Sequence, residues 1–309
     1  ARLPMSGPEW RRFFDLLGGF WPIVGVRLTC RSDVVGGAGA DVTQDQGMLM
    51  TIPHRFQVRS PLAPQSLPVP ARERFARPDG RPLMRRIEVA ALGADHSIQD
   101  TVHVVPQTEV FDRAVSGFAR GTLLKTPQGL VAIEDLLPGD VVETSEGPQP
   151  VLWIGSAAIL PGAAAAGSLL DCLIRVTAEA FGIGRPAGDV VLGPGAALLH
   201  NPPQLSAASG TGHVLTPLAD FIDGDSVFRV TPPSAVKVYH LMVPRHAAVR
   251  AGGLELESYH PGTGVVDSMG EAAQQLFFSL FPGVTRTRDF GPLGFPRVAR
   301  DLLDSLRPM

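Results

Sequence analysis

From Arg85 onward, apolar and polar residues alternate in short runs broken by Gly, Pro and Asp, the signature of half-buried strands joined by turns. The alternation predicts strands at Arg85–Leu92, Thr101–Val105, Gly129–Ile133, Asp140–Thr144, Val151–Ile154, Leu173–Thr177, Asp189–Leu192, Val214–Pro217, Ser226–Val230 and Ala235–Val243. Pro138-Gly139-Asp140 and Asp223-Gly224-Asp225 carry turn chemistry between them. Ahead of these runs the period changes. Ser6 and Glu9 have capping-box spacing, and Trp10, Phe13, Phe14 and Leu17 fall on one helical face that ends at Gly18-Gly19. Gln46–Ser60 reads as extended, and the Pro/Arg-rich stretch from Ser60 to Pro82 reads as a long surface loop. Beyond the strands, Met269–Phe281 and Arg297–Leu306 read as helices, the first apolar on several sides and so expected to dock on the β body. The pattern divides the chain into a β-rich unit with a leading helix (1–115), a second β unit (116–262) and a helical tail (263–309).

Composition narrows the picture. Hydrophobic residues are 44% of the 309, and charged residues 18%, enough apolar material for a core. A net charge of −3 gives no reason to expect a nucleic-acid partner. The stretch from Ala157 to Ser168 is rich in Ala and Gly, contains Pro161 and reads as a loose insert; together with Asp171 it excludes a membrane-spanning helix there. The first residues lack the apolar segment of a cleavable signal, which leaves the cytoplasm or an export route without such a signal. Cys30 and Cys172 are the only cysteines and read as two buried thiols rather than a disulfide. His54, His96 and His103 lack metal-ligand spacing, and no motif implies a metal or other cofactor.

One ordered set of motifs is specific. Phe118-Ala-Arg-Gly-Thr122 is followed by Thr126-Pro-Gln-Gly129, Ile133-Glu-Asp-Leu136, Pro138-Gly-Asp140 and Pro148-Gln-Pro-Val-Leu-Trp-Ile-Gly155. Asp189-Val-Val-Leu-Gly-Pro-Gly-Ala196 comes next, then Val238-Tyr-His-Leu-Met-Val243, Pro244-Arg-His246 and Ala251-Gly-Gly-Leu-Glu-Leu-Glu-Ser258. This series resembles the Hint domain shared by Hedgehog proteins and inteins, in its bacterial subgroup, across about half of the chain. The resemblance implies a mainly β, pseudo-symmetric, horseshoe-like fold, preceded here by the smaller β-rich N-terminal domain.

It also implies a chemistry. In the family, a cysteine before Phe-x-x-Gly-Thr attacks the preceding carbonyl and exchanges an amide for a thioester. The histidine of a Ser-Pro-x-His motif protonates the leaving nitrogen. In splicing members a final Asn cyclises. This chain departs at each place. Gly117 stands for the cysteine, Gly193 and Ala196 for the Ser and His, and Glu257-Ser258 for the final His-Asn. Nucleophile and acid are each worth about 10²–10⁴ in rate and act as one unit, so losing both is hard to offset.

Substitutes fare poorly in the sequence. Ser116 is one residue out of register. His200, four strand residues past Ala196, is roughly 13 Å away from it. Nothing around Cys172 resembles the motif of inteins that use an internal cysteine. His240 and His246 are weak candidates for a residual acid/base or metal pair; a local structural role is the preferred reading. Thr122, matching the family Gly-Thr, reads as a fold feature. The expectation is a degenerate, non-cleaving Hint protein with a structural or binding role toward a protein or surface partner. The alternative is a chain that still cuts itself near Ser116-Gly117 by a non-standard group.

Overall fold

The computed structural model describes residues 83–164, 168–203, 205 and 212–305. The expected helix at Ser6–Leu17, the extended run Gln46–Ser60, the loop to Pro82, Cys30 and His54 lie outside these residues.

The described part is mainly β, with two antiparallel sheets and few helices. The strands are β1 (Met84–Leu92), β2 (Ile98–Pro106), β3 (Phe118–Ala119), β4 (Leu123–Thr126), β5 (Gly129–Ala132), β6 (Val141–Thr144), β7 (Gly147–Pro150) and β8 (Trp153–Ile159). They continue with β9 (Leu173–Val176), β10 (Val190–Leu192), β11 (Ala197–His200), β12 (Val214–Pro217), β13 (Val227–Val230), β14 (Val236–Met242), β15 (Ala248–Ala251) and β16 (Leu254–Glu257). The first sheet runs β13-β9-β10-β3-β14-β8-β1-β2; the second runs β12-β11-β16-β15-β4-β5, with β6 on β15 and β7 on β6.

Alternation explains the first sheet. Arg85, Ile87, Val89 and Ala91 of β1 turn to one face and are buried or nearly so, as a period of two requires. β1 and β2, which the sequence groups with the N-terminal unit, belong to this sheet: Ile87 pairs with Ala157 and Ala91 with Trp153 of β8. The expected short strand Val151–Ile154 is longer and later than its alternation suggested. It runs to Ile159 because it is central, covered by β1 on one edge and β14 on the other. Both of its faces are covered as well, so its run of buried small and apolar residues (153–157 and Ile159) does not alternate. The loose insert therefore begins after Ile159, not at Ala157.

A buried ion pair fixes the β1–β2 hairpin to the short helix Glu109–Arg113 and to Ser168. Arg85 Nε donates to Asp112 Oδ1 at 2.9 Å, its Nη2 to Ser168 Oγ and its Nη1 to the Ala158 carbonyl. Ser168 Oγ and the Leu169 N–H both donate to Asp112 Oδ2. Asp112, wholly buried, thus has both oxygens satisfied.

Two cores result. Phe118, Leu124, Val142, Ile174, Leu192, Tyr239 and Leu241 fill one. Ile87, Val89, Trp153, Ala157, Val238, Tyr259 and the tail residues Phe277, Leu280, Phe281 and Phe290 fill the other. The tail helix Glu271–Phe278 docks as its apolar composition predicts. Phe277, Leu280 and Phe281 are essentially fully buried, each worth about 1.5–3 kcal/mol, and Trp153 Nε1 donates to the Leu280 carbonyl at 2.6 Å. The Trp153 ring lies across Gly155: a β-carbon there would fall 2.2 Å from it, which is why glycine closes the Trp-Ile-Gly motif. The second tail helix is Arg300–Ser305, starting three residues later than expected because residues 296–298 instead run along β12, with a parallel bridge between Leu215 and Arg297. No described helix is long and apolar enough to cross a membrane.

Candidate functional site

The site forms where β3 enters the first sheet. This two-residue strand lies between β10, through Phe118 and Leu192, and β14, through Phe118–Tyr239 and Ala119–Val238. Ser116 and Gly117, immediately before it, are buried. The turn after β10 wraps around their shared peptide. The Gly193 N–H donates to the Gly117 carbonyl at 3.2 Å, and the Gly195 N–H donates to the Ser116 carbonyl at 2.9 Å. The second bond polarises the Ser116 carbonyl, as an oxyanion-type donor does.

The wrap is close because two residues of the turn are glycines. A β-carbon at Gly193 would fall 2.0 Å from the Ser116 carbonyl oxygen, and one at Gly195 would fall 2.0 Å from Ser116 Oγ. The expected vestigial position Gly193 is therefore filled by the peptide itself, and a serine cannot be placed there on this backbone. Ala196 follows, buried, its N–H bonded back to the Gly193 carbonyl. Ser116 Oγ is buried with no hydrogen-bond partner among the described residues.

His240, on β14, closes the other side. A β-carbon on Gly117 would lie 2.8 Å from both Nε2 and Cδ2 of its ring. The ring is held edge-on to Phe118 and Tyr259, at centroid distances of 5.8 and 5.4 Å. Its Nδ1 accepts from the Leu241 N–H at 3.2 Å, so the neutral ring carries its proton on Nε2. Burial pushes its pKa down to about 4, so at neutral pH it is an uncharged donor. The expected local hydrogen bond is present. What the sequence did not reveal is the ring's position over Gly117.

His246 does not pair with His240. Its Nε2 meets Glu257 Oε1 at 3.0 Å and its Nδ1 accepts from the Gly294 N–H at 3.0 Å. Arg297 Nε donates to the same Glu257 oxygen at 2.7 Å, and its Nη2 to the His260 carbonyl. His260 is itself bonded, Nε2 to the Gly291 carbonyl and Nδ1 from the Gly262 N–H. Burial raises the Glu257 carboxyl, but the His246 hydrogen bond and the Arg297 charge outweigh it and hold the carboxyl below its usual range. Burial pushes His260 down to about 4. The sequence singles out Glu257 only as a replacement within the family's final His-Asn and gives no site role to Tyr259, His260 or Arg297. The cluster Glu257-Ser-Tyr-His260 was visible in the sequence, but only the fold turns it toward His240 and brings the tail's Arg297 to it.

His240, Glu257, Tyr259, His260 and Arg297 line a cleft of about 560 Å³ whose wall also includes Arg113, Leu169, Gly195, Ala196, Asp220 and Val265. Among the described residues no group of three or more His, Cys, Asp or Glu is arranged to hold a metal ion. The other sequence candidates have structural partners. Thr122 Oγ1 donates to the Ala119 and Val191 carbonyls, tying the turn after β3 to β10. His200 Nε2 meets Thr216 Oγ1 at 2.8 Å. Cys172 is a free, buried thiol, and burial pushes its pKa up to about 11.

Residues 116–263 match the family model described as the Hint domain. Among solved structures the chain is similar to the solution structure of a bacterial intein-like domain from Clostridium thermocellum, at 17% identity over 47% of this chain and 99% of that one, with a TM-score of 0.30. It is also similar to a crystal structure of the gp41-1 intein, at 12% identity over 47% and 99%, with a TM-score of 0.29. No curated protein matches the chain.

Proposed function

We propose, from the premise that residues 116–263 of this chain are a Hint domain, that it is a degenerate autoprocessing module. It keeps the scaffold, leaves its own backbone uncut and serves a structural or binding role toward a protein or surface partner. The observation that carries this reading is the packing at residue 117. Self-cleavage needs a side-chain nucleophile beside the Ser116 carbonyl and an acid at the leaving nitrogen. Gly117 has no side chain, and the space for one is occupied by the His240 ring. Residue 196 offers a methyl group where an imidazole is needed. Cys172, with its pKa raised to about 11, is almost wholly thiol at neutral pH and so a poor internal nucleophile.

A second reading, cleavage near Ser116-Gly117 by a non-standard group, is favoured by two details. The Ser116 carbonyl accepts a hydrogen bond from the Gly195 N–H, and Ser116 Oγ is buried without a partner. Intact-mass measurement of the full chain, with and without thiol or hydroxylamine, decides between the two. The first reading expects one species of 32.8 kDa under all conditions. Fragments with a boundary between residues 114 and 118 would overturn it and establish the second.

A further inference from the structure

We propose that the pocket beside the β15–β16 turn binds a phosphate group, carried as a monoester on a small body. It is a second site. None of its lining residues lines the cleft beside Gly117, so the inference stands independently of whether the chain cuts itself.

Strand register builds the pocket. Leu124 of β4 pairs with Ala251 of β15, and both side chains are buried. The adjacent antiparallel positions, Lys125 and Arg250, therefore share the outer face of the second sheet. On that face Leu130 of β5 is opposite Lys125, and Glu255 of β16 is opposite Arg250. The third cation comes from a loop. The Phe181 N–H donates to the Arg185 carbonyl and the Arg185 N–H to the Gly182 carbonyl, each at 2.9 Å, which closes a tight turn. That turn lies against Gly252-Gly253, the link between β15 and β16. Both glycines have positive φ, +58° and +84°, and a β-carbon at Gly253 would fall 3.1 Å from the Gly184 carbonyl oxygen. The glycine pair thus admits the loop, and Arg185 joins Lys125 and Arg250 around a pocket of about 440 Å³, within the range of small-ligand sites.

The charges select the ligand. Lys125, Arg185, Arg250 and Glu255 are the charged residues of the lining, three cations against one carboxylate. That carboxylate engages only Arg250, and loosely: Arg250 Nε is 3.5 Å from Glu255 Oε1 in an exposed pair. Among the described residues, the side chains of Lys125 and Arg185 make no hydrogen bond or ion pair. Like charges set side by side across strands destabilise a sheet, and here they gather on a chain whose net charge is −3. An anion in the pocket removes that repulsion. A phosphate monoester carries about −1.5 to −2 charges near pH 7, which matches the surplus of cations. Its oxygens also suit the planar forks of two arginines better than a single-charged carboxylate does. The exposed side chain of Leu130 offers the ester's body an apolar contact.

The test is calorimetric titration of the full chain at pH 7 with glycerol 3-phosphate, with acetate as the singly charged control. The ester is expected to bind with a dissociation constant on the order of 1 mM or tighter at low salt, acetate more weakly, and added sodium chloride should weaken both. Lys125→Gln and Arg185→Gln should each weaken the ester by about three- to tenfold. Glu255→Gln removes the competing carboxylate and should tighten it by about two- to threefold. Arg86→Gln, an exposed arginine of β1 outside the pocket, should change nothing. Thermal melts establish that the variants are folded. Co-sedimentation with vesicles containing phosphatidic acid identifies the source of the phosphate. Vesicle binding tighter than that of the soluble ester, and lost in Lys125→Gln and Arg185→Gln, assigns it to a lipid headgroup; weaker binding assigns it to a soluble ester. No binding of either form, acetate binding as tightly as the ester, or binding unmoved by both cation variants overturns the proposal.

Discussion

The imidazole of His240 lies over the α-carbon of Gly117, so close that a β-carbon there would fall 2.8 Å from two of its atoms. The position beside Gly117 is thus not an empty place. Any side chain at 117 must displace a ring that is bonded to the Leu241 N–H and packed on Phe118 and Tyr259.

Gly117→Cys is therefore expected to destabilise the chain by about 1–3 kcal/mol, the usual cost of overpacking a core. In a His240→Ala background the same change should cost clearly less, because the obstructing ring is gone. A double-mutant cycle by urea denaturation measures the coupling. Additive effects would mean that the two residues do not share this space.

Ser116 and Gly195 form a second such pair. Ser116→Ala removes a buried hydroxyl that has no partner and should leave stability unchanged or raise it by up to about 1 kcal/mol. Gly195→Ala alone should be strongly destabilising, since its β-carbon would lie 2.0 Å from Ser116 Oγ. With Ser116→Ala present the nearest contact relaxes to the 3.2 Å of Ser116 Cβ, so the penalty should shrink. Denaturation midpoints of the three variants test this; an undiminished penalty would contradict it.

Arg85 and Asp112 tie the β1–β2 hairpin to the helix Glu109–Arg113 and to Ser168. Replacing either partner alone leaves the other charge buried and should cost about 3–5 kcal/mol. Asp112→Asn, which keeps the shape, should leave Arg85 equally uncompensated. Hydrogen exchange would register the loss first in β1 and β2, and wild-type protection of those strands in either variant would refute the assignment.

Acid should weaken the fold through His240 and His260. Both have folded pKa values pushed down to about 4 by burial, below the ordinary 6.5 that each regains on unfolding. Between those values the unfolded chain binds the extra protons, so stability falls as pH drops from about 6.5 toward 4. The slope should be about 1.4 kcal/mol per pH unit for each histidine. Above pH 7 neither contributes. Glu257, held low by His246 and Arg297, loses its contribution only in the more acidic part of the range. Denaturant midpoints from pH 4.5 to 8 measure the profile, and His240→Gln should remove one histidine's share of the slope. A flat profile would contradict the burial argument.

Much of the fold is legible locally. Period-two alternation in β1 and the Gly/Asp turns depend on residues a few positions apart, and β1, β9, β12, β13 and β14 fall where the sequence pattern puts them. Alternation fails at β8, because a central strand covered on both edges and both faces has no polar side to mark. The short strands β7 and β11 are equally quiet, the first through two prolines and the second through being buried along most of its length.

By itself, the sequence determined the motif order that marks the Hint domain, the alternating strands, and the absence of a thiol at 117 and an imidazole at 196. All of these are properties of residue identity and near-neighbour spacing. Only the tertiary structure decided what those positions hold instead. Gly193 and Gly195 lie against the Ser116 peptide, His240 covers Gly117, and the tail's Arg297 reaches Glu257. Those contacts join segments distant along the chain. Whether a missing side chain leaves a hole or a filled space depends on which atoms close packing brings to it, and no local pattern encodes that.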